Sequence, residues 1–300
     1  MSIILETNLP TKLLSRGKVR DTYDLGNTLL FVATDRISAF DSVLPCGILD
    51  KGLVLTQLSA FWFEKTKNII PNHLINLIDN VSLIKDYATP GKPDPTYLIG
   101  RSMIVKKAQR IPIEAVVRGY LAGSAWDEYK KHKTISGKQQ PGGLQESQLL
   151  PQPLFTPTTK ADSGHDIPLS EKELIDLLGK EVSATIEEKS INIYRYSQQF
   201  AKERGIIIAD TKFEFGFVNN ELTLIDELLT PDSSRFWDAN KYLIGKSQPS
   251  FDKQPVRDWL VASGWNKEPP APILPEDIIK HTSERYITAY SILVGKDLIR

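Results

Sequence analysis

The segment Ile208-Ala209-Asp210-Thr211-Lys212-Phe213-Glu214-Phe215-Gly216 places an acid, a base and a second acid at alternate positions. Side chains on a strand alternate between faces, so an extended chain here gathers Asp210, Lys212 and Glu214 on one side and Thr211, Phe213 and Phe215 on the other. Such a charged face needs water or a charged ligand. Downstream, Asn219-Asn220 marks a turn, and Asp226 joins Glu214 on that face if the loop has an odd number of residues, such as Asn219-Asn220-Glu221 with a bulge. A two-residue loop sets Ile225 opposite Glu214 instead; we expect the odd loop. Two carboxylates beside a lysine suit Mg²⁺ held against nucleotide phosphates, because this hard ion takes few carboxylates and completes its shell with phosphate oxygens and water. A solvated sheet face with internal ion pairs explains the same residues without a ligand.

Other segments carry weaker signals. Arg16-Gly17-Lys18-Val19-Arg20-Asp21 reads as strand, turn, strand, where a glycine lets backbone approach a phosphate and the flanking cations supply charge. An ordinary hairpin turn fits as well. In Ile111 to Ser124, Arg118 followed by Gly119 and Gly123-Ser124 could grip a phosphate bidentately with help from backbone N–H groups; a surface arginine beside a tight turn is the plainer reading. In Thr230-Pro231-Asp232-Ser233-Ser234-Arg235, the plainer reading is Asp232 or Ser233 capping a following helix. Walker and paired-glycine dinucleotide patterns are absent, as are zinc-ligand spacings among His73, His132, His165 and His281 and any recognised nucleophile motif. Chemistry must then rest on phosphate, magnesium and alignment.

These residues need elements to hold them. Leu13 to Asp35 reads as strands broken at Gly26-Asn27, and Leu55, Leu58, Phe61 and Trp62 follow at helical spacing until Pro71. Met103-Ile104-Val105 is a further strand, and the boundary between two lobes is expected near residue 110, giving regions 1–110 and 111–300. Residues 132–170, rich in Gly, Pro, Gln and Ser, read as mostly loop. Glu171 to Arg204 reads as helix ending at Gly205, then comes the hairpin around Asn219-Asn220, then helices after Asp252 separated by the proline-rich EPPAPILP. The result is an α+β protein with two lobes and a ligand cleft between them.

Composition narrows the function. Across 300 residues, Lys+Arg 37 offsets Asp+Glu 37, which removes a global electrostatic case for nucleic acid or an anionic membrane. The single Cys46 cannot form an internal disulfide, which suits a reducing compartment. The N-terminal stretch lacks a basic region and a long apolar run, and no apolar segment reaches bilayer length, so a soluble, cytoplasmic protein is expected.

The motifs together resemble the phosphoribosylaminoimidazole-succinocarboxamide synthase (SAICAR synthetase) family of purine biosynthesis, in its longer form. The two most specific are IPIEAVVRGYLAGS at Ile111 to Ser124 and IADTKFEFG at Ile208 to Gly216. Supporting matches are RGKVRD from Arg16, DRISAFD from Asp35, FTPTTKAD from Phe155, DELLTPDSSRFW from Asp226 and FDKQPVRDWL from Phe251. The resemblance implies an ATP-grasp-like or kinase-like two-lobed α+β fold of antiparallel sheets and packed helices. The implied reaction joins L-aspartate to the carboxylate of carboxyaminoimidazole ribonucleotide (CAIR), giving SAICAR, ADP and phosphate through an acyl phosphate, with Mg²⁺ and ATP. A small-molecule kinase is the alternative.

The resemblance also implies roles. Arg16, Gly17 and Lys18 form the ATP phosphate loop, Lys106, Ala108 and Gln109 meet adenine through backbone, and Glu214 and Asp226 ligate Mg²⁺. Arg118 and Ser124 hold the ribonucleotide phosphate; Asp210, Lys212 and Arg235 surround its imidazole carboxylate, with Asp210 a candidate base. Thr158, Lys160, Asp35 and Ser38 are candidates for the aspartate side. Relatives often continue after the TKA motif with a His-Asp-Glu-Asn-Ile-Ser-like run, whereas this chain has His165-Asp166-Ile167-Pro168-Leu169-Ser170, and Pro168 lacks a backbone donor, so no role passes to His165. The expected assembly is a monomer or small homo-oligomer acting on small molecules.

Overall fold

A computed structural model describes residues 2–84, 95–160 and 166–300. The end of the FTPTTKAD motif beyond Lys160, and His165, lie outside the described residues. The chain opens with β1 (Leu13–Arg16), β2 (Arg20–Asp24) and β3 (Thr28–Ala33), a short pair β4 (Arg36–Ala39) and β5 (Ser42–Gly47), and helix α1 (Lys51–Thr66). Next come β6 (Leu74–Leu77), β7 (Ser102–Lys106), β8 (Gln109–Arg110), β9 (Ile113–Tyr120) and α2 (Ser124–His132). Then follow β10 (Thr134–Ile135), β11 (Lys138–Gln139), β12 (Leu149–Phe155), β13 (Thr158–Thr159), α3 (Glu171–Leu178) and α4 (Lys180–Lys202). The last elements are β14 (Ile206–Val218), β15 (Glu221–Ile225), β16 (Ser234–Asp238), α5 (Gln254–Ala262) and α6 (Glu276–Val294).

The first sheet has the order β1-β2-β3-β7-β6, all antiparallel. The chain leaves it at Lys106 and enters a second antiparallel sheet at Gln109, built around β14. On one edge β14 pairs with β9 and β8, on the other with β16 and β15. Gly216 is required at the β8 crossing, because an added Cβ would meet the Gln109 carbonyl at 2.9 Å and the Ala108 side chain at 3.1 Å.

One hydrophobic core joins the two sheets: Leu58, Trp62 and Phe63 of α1, Val105 of β7, Phe213 and Phe215 of β14, and Tyr286 and Leu293 of α6 all belong to it. Helix α4 buries Ile186, Ile193, Tyr194, Ser197 and Ala201, a 3.6-residue stripe laid on β14, and the Tyr194 hydroxyl donates to the Ile208 carbonyl at 2.6 Å. A second core packs β4 and β5 against α5 and the segment leading into α6 through Ile37, Ile48, Val256 and Leu274. No helix among the described residues is long and apolar enough to cross a membrane.

Most of the described residues in 132–170 are turns and irregular chain, as the composition suggests, but they include β12, which pairs with β9 despite its prolines, as an edge strand whose register shifts between Leu149 and Leu154. The structure departs from the sequence reading in three places. The helix expected from 171 to 204 breaks at Gly179, whose φ of 80° ends α3, and α3 starts in a Ser170/Glu173 capping box. The Thr230–Ser233 turn leads into strand β16 rather than a helix, so its hydroxyls close the turn on themselves: Ser233 Oγ accepts from the Thr230 amide at 3.1 Å. Finally, the β14–β15 loop has two residues, Val218 pairs with Glu221, and Ile225 lies opposite Glu214, so the expected odd loop is wrong. Both Asn219 and Asn220 adopt positive φ, the conformation of a tight two-residue hairpin turn.

Candidate active site

Strand register builds the centre of the site. Asp210 on β14 lies directly opposite Arg118 on β9 and Arg235 on β16, so one buried carboxylate sits between two guanidinium groups. Arg235 Nη1 donates to Asp210 Oδ2 at 2.5 Å, and Arg118 Nη1 lies 3.5 Å from the same oxygen. Arg118 also donates to Thr156 Oγ1 at 3.0 Å and Ser124 Oγ at 3.3 Å. Asp210, with two cationic partners, holds the guanidinium groups side by side. Asp210, more than burial, holds the Arg235 guanidinium above its ordinary range, whereas burial outweighs Asp210 at Arg118 and lowers it.

Two residues along the same face, Lys212 Nζ donates to Glu114 Oε1 of β9 at 2.8 Å. Burial alone would lower the Lys212 ammonium; Glu114 outweighs it and keeps the group charged. These residues line a cavity of about 490 Å³, together with Lys18, Ser38, Thr158, Asp232, Lys253 and Arg257. Among the described residues its lining carries six cations, Lys18, Arg118, Lys212, Arg235, Lys253 and Arg257, against five carboxylates, Asp41, Glu114, Asp166, Asp210 and Asp232. The carboxylates hold the cations in place, and the wall suits an anionic ligand.

Gly123 shapes this wall. Its φ is +56°, and a Cβ there would fall 2.2 Å from Arg235 Nη2. Gly123→Ala should therefore push the guanidinium out of line with Asp210 and cost roughly 1 kcal/mol or more from the backbone alone. We expect weaker binding of the anionic substrate than in the parent at equal ATP affinity, read by calorimetry.

Glu214 lies further along β14, beside Asp226. Asp226 reaches it in spite of the two-residue loop, because its φ of 71° ends β15 and redirects the side chain. Lys160 forms an ion pair with Glu214, and Arg20 of β2 with Asp226, so this second pair ties the first sheet to the second. Burial, then Asp226, pushes the Glu214 carboxyl up to about 7 against the pull of Lys160. At Asp226 burial works upward too, but Arg20 and then Lys160 prevail and hold it below the ordinary range. His73, packed edge-on to Phe31 and Phe63, is neutral near pH 7, since burial lowers it to about 3.

The raised Glu214 value has a stability consequence. Between the ordinary 4.5 and about 7, the folded chain keeps a proton that the unfolded chain has released, so raising the pH across that window lowers stability. Glu214→Gln should flatten this slope. Thermal denaturation of both proteins from about pH 5 to about pH 8 checks it: parallel curves would contradict the burial of this carboxyl.

The other expected residues fall elsewhere. Asp35 is fully buried and is not among the cavity-lining residues: it accepts from Ile4 N at 2.8 Å, Gly52 N at 3.0 Å and Arg101 Nη1 at 3.1 Å, and so braces the β3–β4 turn. Arg16 turns to the N-terminal segment, donating to the Thr7 carbonyl at 2.9 Å. The Gly17 amide is spent on Arg20 O at 2.8 Å, and its carbonyl accepts from Arg36 at 2.9 Å. Lys18 Nζ meets Asp41 Oδ1 at 2.6 Å at the cavity rim. Lys106, Ala108 and Gln109 form the passage between sheets, with the Lys106 amide bound to the His73 carbonyl at 2.8 Å. Lys160 belongs with Glu214, while Ser38 and Thr158 face the cavity.

Sequence reasoning missed Arg20, Glu114, Lys253 and Arg257. The signals existed: Glu114 and Arg118 share a face by strand alternation, and Lys253 and Arg257 share one by the four-residue helical step.

A charged cavity on the central antiparallel strand β14, with Glu214 further along that strand beside Asp226 at the end of β15, defines an α+β protein whose site suits the handling of phosphate groups. The family model described as SAICAR synthetase matches residues 13–272. The chain belongs to the SAICAR synthetase family. It is 54% identical over 295 residues to the phosphoribosylaminoimidazole-succinocarboxamide synthase of Thermodesulfovibrio yellowstonii, covering 98% of this chain and 99% of the relative. It is 52% identical to that of Desulfosudis oleivorans, with the same coverage. Among solved structures it is similar to the Saccharomyces cerevisiae SAICAR synthase complexed with SAICAR, at 45% identity and a TM-score of 0.87 over 98% of this chain and 99% of that one. A Type-2 SAICAR synthetase in complex with ADP shares the fold at 24% identity and a TM-score of 0.68, over 94% of this chain and 98% of that one.

Proposed function

We propose that the cavity carries out the family's reaction: this chain is an ATP-dependent carbon–nitrogen ligase of purine biosynthesis that joins L-aspartate to CAIR, giving SAICAR, ADP and phosphate. The observation that carries the site assignment is the Arg118–Asp210–Arg235 row, two guanidinium groups held in register by one carboxylate on the floor of a cavity sized for a nucleotide-like substrate. A carboxylate does not condense with an amine unaided. The γ-phosphoryl group of ATP passes to a CAIR carboxylate oxygen as its bond to ADP breaks, and the aspartate amine then attacks the acyl carbon. The carbon–nitrogen bond forms, phosphate leaves with the carbon–oxygen bonding pair, and the amine loses a proton. Such steps depend on charge and alignment more than on an enzyme nucleophile.

Arg118 and Ser124 hold the ribonucleotide phosphate, and Lys212 and Arg235 the imidazole carboxylate, with Asp210 orienting both arginines. Ser38 and Thr158 stand on the aspartate side. ATP lies along the seam between sheets, from Lys18 and the Arg16–Gly17 turn to the backbone of Lys106, Ala108 and Gln109. Glu214 and Asp226 fit Mg²⁺: two neighbouring carboxylates are the hard oxygen donors this ion takes when phosphates complete its shell. When bound, the ion neutralises charge on the transferring phosphates. Lys160 and Arg20 pair with the same two carboxylates.

The test is ADP release by the purified protein with Mg·ATP and CAIR, with and without L-aspartate, while product absorbance is followed. Aspartate-dependent release with product is expected. Release without aspartate would replace the ligase reading with a kinase, and no release would overturn both.

A further inference from the structure

Residues 273–300 lie beyond the span matched by the family model, yet α6 reaches the cavity wall. Tyr286, fully buried, donates its hydroxyl to Asp232 Oδ1 at 2.6 Å. The other carboxylate oxygen of Asp232 accepts from Lys51 Nζ at 2.9 Å and lies 3.7 Å from Lys253 Nζ. One cavity-wall carboxylate thus gathers α1, α6 and the start of α5. Lys51 has no exposed side-chain surface and holds Asp232 from within the fold, whereas Lys253 faces the cavity. Further bonds tie α6 and the C-terminus to α1 and the turn before it: Ser283 donates to the Leu49 carbonyl at 2.7 Å, Gln57 of α1 bonds both the amide and the carbonyl of Ile299 at 2.9 Å, and Arg300 meets Asp50 at 2.8 Å.

We propose that Tyr286 is a positioning residue for the substrate cavity: its hydroxyl fixes the rotation of the Asp232 carboxylate, and through it the Lys253 ammonium that meets an acidic substrate. With Tyr286 and Lys51 in place, the carboxylate plane is set and Lys253 has one direction in which to point. Without the hydroxyl, Asp232 can turn toward Lys51 alone, and Lys253 loses the anion that opposes its burial. The identity of the acidic substrate rests on the ligase reading; the geometry does not.

Tyr286→Phe removes one oxygen and keeps the ring in the core. The first measurement needs no substrate: acetic anhydride acylation of Lys253 in the full-length chain at about pH 7, where only a small fraction of this amine is free, followed by peptide mass spectrometry with exposed Lys67 as internal reference. Burial holds the Lys253 ammonium down at about 8 while Asp232 opposes that shift, so losing the contact leaves more free amine. A rise of about threefold or more at Lys253 with Lys67 unchanged is expected. An unchanged Lys253 rate, or an equal rise at Lys67, overturns the proposal. The second measurement is kinetic. Tyr286→Phe should raise the same KM, for CAIR or for L-aspartate, that Lys253→Ala raises, leave the KM for ATP unchanged, and add nothing in the Lys253→Ala background. Additive effects would overturn the coupling. If the parent forms no succinocarboxamide, the ligase reading fails, while the acylation result still decides the role of Tyr286.

Discussion

Glu214→Gln lowers turnover by about two orders of magnitude or more, while its melting temperature near neutral pH stays level or rises. The asymmetry follows from the surroundings of this side chain. Glu214 is buried beside Asp226, and both burial and that like charge oppose its ionisation, so an amide of the same shape relieves repulsion in the fold. Its cationic partner, Lys160, keeps about a quarter of its side chain exposed and regains water when the pair is lost. The reaction gains nothing from that relief, because the amide cannot supply the charge that holds a divalent ion against the transferring phosphates. Product absorbance at saturating CAIR, aspartate and ATP, set beside a thermal melt, measures both effects. Parent-like turnover would remove Glu214 from the metal site; lost turnover with a collapsed melt would make it structural.

Arg118→Ala should raise the KM for CAIR about a hundredfold and the KM for ATP about twofold at most, the larger effect corresponding to roughly 2–3 kcal/mol of charge-assisted hydrogen bonding. The fold has reason to tolerate the change. Asp210 keeps its shorter bond to Arg235, so the carboxylate is not stranded, and Thr156 and Ser124 are hydroxyls that water can satisfy near the cavity. What disappears is one of the guanidinium groups presented in register by β9 and β16. Initial-rate measurements varying each substrate separate the cases: equal rises in both KM values would mean that Arg118 organises the sheet rather than binding the ribonucleotide.

These expectations differ in how far the sequence alone could have carried them. Alternation in IADTKFEFG was enough to place Asp210, Lys212 and Glu214 on one face, and the apolar stripe of α4 and the Gly26-Asn27 and Asn219-Asn220 turns were legible, because strand pleat, helix period and turn chemistry act over a few residues. Arg118 and Arg235 were named as ligand-binding side chains through motif resemblance, and no local rule says that both would meet Asp210. That convergence depends on the pairing of segments about ninety residues apart along the chain, a register set by the packing of the whole second sheet.

Asp226 shows the limit most clearly. The hairpin rule was applied to it with the wrong loop length, yet the residue still arrives beside Glu214, because its left-handed φ turns the chain where β15 ends. Asp35 shows the reverse: its motif was legible, but Arg101 and the amides of Ile4 and Gly52 claim its carboxylate inside the fold. The sequence by itself determined β14 and its charged face, the apolar stripe of α4 and the family to which these motifs point, since each rests on short-range order. Only the tertiary structure decided which charges neutralise one another and which face the cavity. Ion pairing in a low-dielectric interior depends on distances of a few ångströms between side chains such as Lys51, Asp232 and Tyr286, which the chain holds far apart until it folds.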